Sequence, residues 1–396
     1  MTATMTARTG THGTVAPGYE PVRDAFEENF RTRGELGGAC AVYRGGERVV
    51  DLWGGIRDAA TGAPWEEDTM VLVYSATKGM AAMTLALAHS RGWLDYDERV
   101  AAYWPEFAQA GKERITVRQL LAHQAGLFGF DEKVDRAAIA DLDRLAGIMA
   151  RQRPEWEAGE RQAYHAISLG FYEGEIIRRV DPGHRTLGAV FAEEIAAPLG
   201  EEFYIRLPAS LPDSRLAPLV QQSAVRAILS LPLPMLLDAL NPRSVLFRSL
   251  ISNPGTQVAL DRERVFAREL EVPSGGGVGT ARGIAKAYAV FAGDGHELGL
   301  RPETLAALRA PAIPSRHGFV DACFHGEVAF SLGFMKPTPN WSFGHEGAFG
   351  SPGAGGSLGY GDPATGIGYA YVTNRMGTFD GDPRDVALRR ALERVG

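Results

Sequence analysis

Cysteine is nearly absent. The 396-residue chain has two, Cys40 and Cys323. They supply neither a disulfide framework nor a metal-binding spacing, and they read as reduced, buried residues. Lysine is also scarce, with five in the chain, so arginine makes up most of the 41 basic residues. The net charge of −7 argues against a general nucleic-acid or anionic-membrane role. No run of 18 apolar residues occurs, which excludes a hydropathy-defined membrane span. The first residues, Met1 to Thr14, lack the apolar core of a secretory signal. Residues 1–17 read as a frayed tail, and the cytoplasm is the expected location. The nine histidines contain no His-Glu-x-x-His. His317 and His325 with Asp321 lack a ligand spacing and read as a surface loop. No metal and no organic cofactor is expected.

What is present points to one turn of helix. Hydrophobic residues make up 45% and charged residues 22%, as in soluble globular proteins. In Val71-Leu-Val-Tyr-Ser75-Ala-Thr-Lys78, followed by an apolar stretch to His89, Ser75 and Lys78 are three apart. That spacing puts them on one face of a helix. Ser is favoured at a helix start, where free N–H groups and the helix dipole suit a developing oxyanion. A serine nucleophile needs an adjacent base and a place for negative charge. With 16 serines and five lysines, about 0.2 Ser-x-x-Lys matches arise by chance. The alternative is a serine cap with a solvated lysine one turn on. Met80, Met83, Thr84 and Leu87 recur at helical spacing and predict a buried helix.

The flanking chain divides into a sheet-forming part at each end and a helical part between. Tyr19 to Arg33 has helical spacing through Val22, Phe26 and Phe30. Gly37 to Tyr43 and Arg48 to Trp53 read as a hairpin around a glycine turn. Thr116 reads as a helix N-cap and Gly126 as a stop. From there to about residue 265 helical patterns dominate. Within them, residues 224–250 are apolar and broken by prolines; they read as core, as a flap over an apolar acyl pocket, or as a surface for lipid or a partner chain. The C-terminal part predicts strands at Val328–Phe334, Trp341–Gly344, Gly355–Tyr360 and Gly366–Thr373, then a closing helix at Pro383–Val395. The fold class is α+β. An antiparallel sheet flanked by helices (residues 18–95 and 266–396) joins a mostly helical domain (96–265).

Two motifs read as decoys. Pro273-Ser-Gly-Gly-Gly-Val-Gly279 enters a helix but lacks the Gly-Lys-Ser/Thr of a phosphate loop, and reads as a tight turn beneath the Ser75 site. Gly355-Gly-Ser357-Leu-Gly359 matches Gly-x-Ser-x-Gly, yet a strand follows it where an elbow needs a helix, and no histidine lies beyond His345.

Four stretches taken in order resemble the serine beta-lactamase-like superfamily. They are Ser75-Ala-Thr-Lys78, Thr116 to Leu127, Ala158 to Ala166 around Tyr164, and Phe343-Gly-His345-Glu-Gly347-Ala-Phe-Gly350 with Gly361-Asp-Pro363 and Val372-Thr-Asn374 beyond. That group includes class C beta-lactamases, D-alanyl-D-alanine carboxypeptidases, family VIII carboxylesterases and related acyltransferases. The resemblance spans roughly residues 20–390. It implies that Ser75 is the acylated nucleophile, Lys78 the amine that takes or stabilises its proton, and Tyr164 a general base or proton shuttle. It implies that His345-Glu-Gly347 holds the place of the Lys-Thr-Gly strand, and that the N–H of Ala348 joins that of Ser75 as the oxyanion hole. Two departures from the family pattern, Ala166 for asparagine and His345 for lysine, turn the reading from charged peptides and penicillins to neutral esters.

The resulting expectation is a serine esterase that acts on small-molecule esters, or transfers the acyl group to another acceptor. A beta-lactamase or D-alanyl-D-alanine carboxypeptidase on the same residues is the alternative, and a non-catalytic binding protein a third. Oligomeric state is left open.

Overall fold

The computed structural model describes residues 10–221, 232–253, 268, 270–377 and 381–395. Both chain ends build one nine-stranded sheet. Its strands are β1 (Thr11–Val15), β2 (Gly37–Arg44), β3 (Glu47–Asp58), β4 (Ala329–Ser331), β5 (Phe334–Lys336), β6 (Phe349–Pro352), β7 (Leu358–Asp362) and β8 (Ile367–Thr373), with Ala63–Pro64 paired to the end of β3. Their order is β1-β3-β2-β8-β7-β6-β5-β4, antiparallel throughout. The central pairing joins the chain's two ends: β8 runs against β2 from Ile367↔Arg44 to Thr373↔Gly38. Apart from the 12-residue β3 the strands are short, and from β2 to β3 and from β4 to β8 sequential neighbours pair across turns, as antiparallel sheets allow.

Helices cover both faces. On one side α1 (Glu20–Thr32) packs with α5 (Pro383–Leu392). The helical spacing read in the sequence holds here: Val22 and Phe26 are fully buried, and Phe26 meets Phe30 edge-on at 5.3 Å. On the other side α4 (Ala281–Ala292), capped by the Thr280 hydroxyl, lies across β8, β2 and β7. Behind it α2 (Thr77–Ser90) is buried on every side, with only His89 partly exposed. A helix apolar all round belongs in a core, which makes α2 a rigid mount for whatever its first turn carries. No helix among the described residues is long and apolar enough to cross a membrane.

Several expectations need correcting. Residues 11–15, read as part of a frayed tail, form edge strand β1 against β3, from Thr11↔Gly54 to Val15↔Val50. Its alternating exposure leaves one face in solvent, so little hydrophobic signal marks it. Trp341–Gly344 is a turn region, and the strand comes later, at Phe349–Pro352. The intervening helical segment also contributes Phe203–Tyr204 and Leu216–Ala217 to a second, four-stranded sheet with Met70–Leu72 and Val278–Gly279. Of the apolar flap at 224–250, residues 224–231 and the boundary at 265/266 lie outside the described residues. Its remainder forms helices Leu233–Ala239 and Val245–Leu250.

Candidate active site

Ser75 sits at a backbone corner. Strand Met70–Leu72 ends, and Tyr74 takes φ of +48°, a conformation uncommon for a bulky residue. Strain of this kind persists where the surroundings over-determine it. The corner is pinned from three sides. Thr77 Oγ1 donates to Tyr74 O and accepts from Gly277 N–H. Ser351 Oγ donates to the carbonyl of Ser75 at 2.7 Å. At Gly353 a Cβ would fall 2.1 Å from Val73 O, so only glycine lets the end of β6 approach this closely. The glycine loop at 273–279 therefore braces the corner through Gly277. Ser75 itself lies in a single 3-10 turn, Tyr74–Ala76, and α2 begins two residues after it.

The structure brings Ser75, Lys78 and Tyr164 together. Lys78 Nζ is 3.2 Å from Ser75 Oγ, and Tyr164 OH donates to the same oxygen at 2.8 Å. Lys78 Nζ also donates to Ala166 O at 2.6 Å and Ser274 O at 2.8 Å, and it lies 4.9 Å from the centre of the Tyr164 ring. A neutral amine has two N–H bonds and one lone pair. With both hydrogens on the two carbonyls, the lone pair is left for Ser75 Oγ. Burial lowers the Lys78 amine to about 7, against a smaller opposing pull from Glu173. Desolvation favours the uncharged lysine, so a substantial share is free base near neutrality. Burial raises the Tyr164 phenol, only partly offset by its bond to Ser75. Tyr164 is thus a protonated donor.

Two histidines that the sequence did not single out hold Tyr164. The N–H of His165 donates to His123 Nδ1 at 2.9 Å, and Leu127 N–H donates to His165 Nε2 at 3.1 Å. His165 Nδ1 lies 2.6 Å from Ala163 O, so its proton is on Nδ1. Burial lowers His165 to about 4 and His123 well below the ordinary range. Both are neutral props. The Tyr164 ring stacks on Phe330 at 5.7 Å, and Ser249 Oγ donates to the Tyr164 carbonyl at 2.7 Å.

His345, Gly347 and Ala348 are not brought to Ser75. His345 is exposed and bonds through Nδ1 to Asp362 Oδ2 at 2.7 Å. Gly347 O faces Lys336 Nζ at 3.4 Å. The Ala348 N–H donates to His345 O at 2.9 Å and so is committed to the turn. The reason is register: residues 344–348 are the turn before β6, and the strand reaches the nucleophile only at Ser351–Gly353. Six positions separate His345 from Ser351. The signal that marks the true segment is the close-packed run Ser351-Pro352-Gly353-Ala354-Gly355-Gly356, with Gly355 and Gly356 at φ of +92° and +112°. Ser357, of the Gly-x-Ser-x-Gly match, is buried and leads into β7, where no helix follows.

Ser75, Lys78, His123, Tyr164, Ser351 and Ala354 line one cleft of about 630 Å³. Met335, Trp341, Phe343 and Leu250 give it apolar walls, and Arg389 and Arg390 of α5 add charge. The sheet with helices on both faces and a serine-lysine pair at the head of a buried helix is the architecture of the beta-lactamase and transpeptidase class. The Beta-lactamase family model matches residues 22–393, and the chain belongs to that family. It is 33% identical over 377 residues to "Esterase/beta-lactamase LipL" of Mycobacterium tuberculosis, covering 92% of this chain and 83% of that protein. A crystal structure of a family VIII carboxylesterase superposes with TM-score 0.85 at 35% identity, covering 98% of this chain and all of that one. A penicillin-binding-protein homolog from Caulobacter crescentus matches with the same TM-score, identity and coverage.

Proposed function

We propose that this chain is a serine carboxylesterase that forms an acyl-enzyme on Ser75. The observation that carries the reading is the convergence of the Lys78 amine and the Tyr164 phenol on one hydroxyl oxygen. Lys78, as the free amine, takes the Ser75 proton while Oγ attacks the ester carbonyl. Tyr164, bonded to Oγ, passes a proton to the departing alcohol and recovers it through Lys78. Water then attacks the acyl-enzyme by the same route in reverse. The oxyanion is met by the N–H of Ser75 and the N–H of Ala354, which follows the Gly353 contact with the corner. Each such donor contributes on the order of 3 kcal/mol to the transition state.

The substrate is a neutral small-molecule ester. Ser351, the β6 side chain bonded to the nucleophile's carbonyl, carries no charge. Lys78, the amine beside Ser75, is buried and held by two carbonyls. Neither Ser351 nor Lys78 therefore offers a substrate carboxylate a free cation; among the described residues lining the cleft, the other cations are Arg389 and Arg390 of α5. The apolar walls suit an acyl chain. Two free, buried thiols, Cys40 and Cys323, fit a reducing compartment such as the cytoplasm. The test is turnover of p-nitrophenyl butyrate beside nitrocefin, with a fluorophosphonate adduct mapped by mass spectrometry. Ester turnover with the adduct on Ser75 is expected. An adduct elsewhere, or none, would defeat the reading.

A further inference from the structure

Glu173 takes no part in the chemistry above, yet its surroundings give it a partner. It lies on α3 (Ser168–Val180) and is fully buried. Neither of its carboxylate oxygens meets a hydrogen-bond partner among the described residues. A carboxyl group so placed is costly to ionise unless an opposite charge answers it.

The packing sets it behind Lys78. Helix α3 packs on α2. Glu173 Oε1 lies 3.1 Å from the point a Cβ on Gly333 would occupy, and the Ala82 Cβ lies 2.8 Å from that same point. Ala82 is one turn beyond Lys78 on the same face of α2, and Gly333 lines the cleft. One turn before Glu173 on α3, the Gly170 N–H donates to Ser274 Oγ at 2.8 Å. The carbonyl of that same serine holds Lys78 Nζ. Two helices and the 273–277 loop thus close around one amine and one carboxyl.

We propose that Glu173 is a positioning residue for Lys78, its carboxylate setting the charge of the amine that faces Ser75 from across the α2–α3 packing.

This inference rests on the role given to Lys78 above. The electrostatics agree with the geometry. Burial raises the Glu173 carboxyl, and Lys78 draws it back down; burial lowers Lys78, and Glu173 draws it back up. Among the described residues no other charge acts on either to a comparable degree. The other described titratable groups around Lys78 include Tyr164, His123 and His165, and Tyr288 of α4, whose phenol packs against Gly79. Burial keeps both phenols protonated and both imidazoles uncharged. The two groups, Lys78 and Glu173, hold a proton between them: when it sits on Lys78, the ionised Glu173 stabilises the ammonium, so Lys78 holds its proton to higher pH than burial alone allows. That poises the amine near neutrality, where a general base works best.

The experiment compares wild type, Glu173→Gln, Glu173→Leu and Glu173→Asp. It records kcat/KM for p-nitrophenyl butyrate and the rate of fluorophosphonate labelling of Ser75 between about pH 5 and pH 9. In Glu173→Gln and Glu173→Leu the limb that reports Lys78 moves down by about one unit or more, while Glu173→Asp stays closer to wild type. Glu173→Leu fills the same space without charge, so a loss due only to packing appears as a lower melting temperature with an unmoved limb. Unmoved limbs in both neutral variants would overturn the proposal while leaving the esterase reading intact. Failure of wild-type Ser75 to label at any pH would remove the esterase reading and this inference together.

Discussion

Tyr164 and Ser75 stand 89 residues apart in the chain and 2.8 Å apart in the fold, with the phenol donating to the serine oxygen. That bond is possible because Tyr164 precedes α3 and Ser75 precedes α2, and these two helices pack together. The hydroxyl of Ser75 therefore has the phenol and the Lys78 amine within hydrogen-bonding range at once, an arrangement suited to moving its proton in and out.

Removing either oxygen separates chemistry from binding. Ser75→Ala is expected to reduce ester hydrolysis to the uncatalysed background. Tyr164→Phe keeps the ring against Phe330 and removes only the hydroxyl. It is expected to lower kcat by roughly 10²–10⁴-fold, the usual scale of general acid–base catalysis, with KM and melting temperature near wild type. Steady-state kinetics and thermal melts check this. A Tyr164→Phe enzyme with wild-type kcat would show that the phenol is packing alone.

The acid limb of the activity profile follows from Lys78. Its amine is brought down to about 7 by burial, and the base is the unprotonated form. The rate kcat/KM should then rise as pH increases through about 7 and level off above it. Lys78→Arg cannot supply a free base, because guanidinium stays charged. It is expected to be nearly inactive across the range. A wild-type profile flat between about pH 6 and pH 8 would argue against Lys78 as base.

The part of the site carried by short-range pattern was legible in the sequence. Ser75 and Lys78 lie three apart on a helix whose apolar spacing announces its burial, and Tyr164 stood in a recognisable ordered set. The strand beside the nucleophile was misplaced. His345-Glu-Gly and Ser351-Pro-Gly are both polar-glycine triplets, and composition does not say which belongs to a turn. The Gly353 contact with Val73 and the Ala348 N–H bond to His345 decide it, and neither is visible without the fold. β1 escaped notice because an edge strand with one wet face has little hydrophobic alternation to offer. His123, His165 and Glu173 were invisible for a related reason: their role comes from burial, which a lone polar residue in a sequence does not reveal.

The register of β6 can be tested by a contrasting pair. Gly353→Ala puts a methyl group 2.1 Å from Val73 O, so the strand end must move away from the Ser75 corner. Misplacement of this order at an oxyanion donor is expected to lower kcat by about 10²-fold, with a measurable loss of stability. His345→Ala removes an exposed side chain and leaves the buried Asp362 carboxylate its bonds from Thr365 Oγ1 and the Ala364 N–H, so it should change kcat/KM by less than about 2-fold, the scale of a surface substitution away from the site. The opposite ranking, with His345 the sensitive position, would restore the triplet at 345–347 to the site.

The closing helix is held by a buried charge cluster that ties the chain ends together. Arg384 of α5 is almost fully buried; it bonds Glu35 Oε1 at 3.0 Å and Asp382 Oδ2 at 2.7 Å, and donates to Arg375 O at 2.8 Å. Glu35 also accepts from Tyr371 and Thr373 of β8. Arg384→Ala leaves two carboxylates in the core without their cation, which costs about 3–5 kcal/mol for a broken buried pair. The urea midpoint should fall accordingly. Adding Glu35→Gln should recover part of the loss, because it removes one stranded charge. The sign of the pH dependence follows. Burial already raises the Glu35 carboxyl against the pull of Arg384, and removing the guanidinium raises it further. Folding of the variant then favours the protonated acid, so its deficit against wild type should narrow as pH falls. Denaturation at about pH 5 and about pH 8 distinguishes this from simple loss of packing, which would give the same deficit at both.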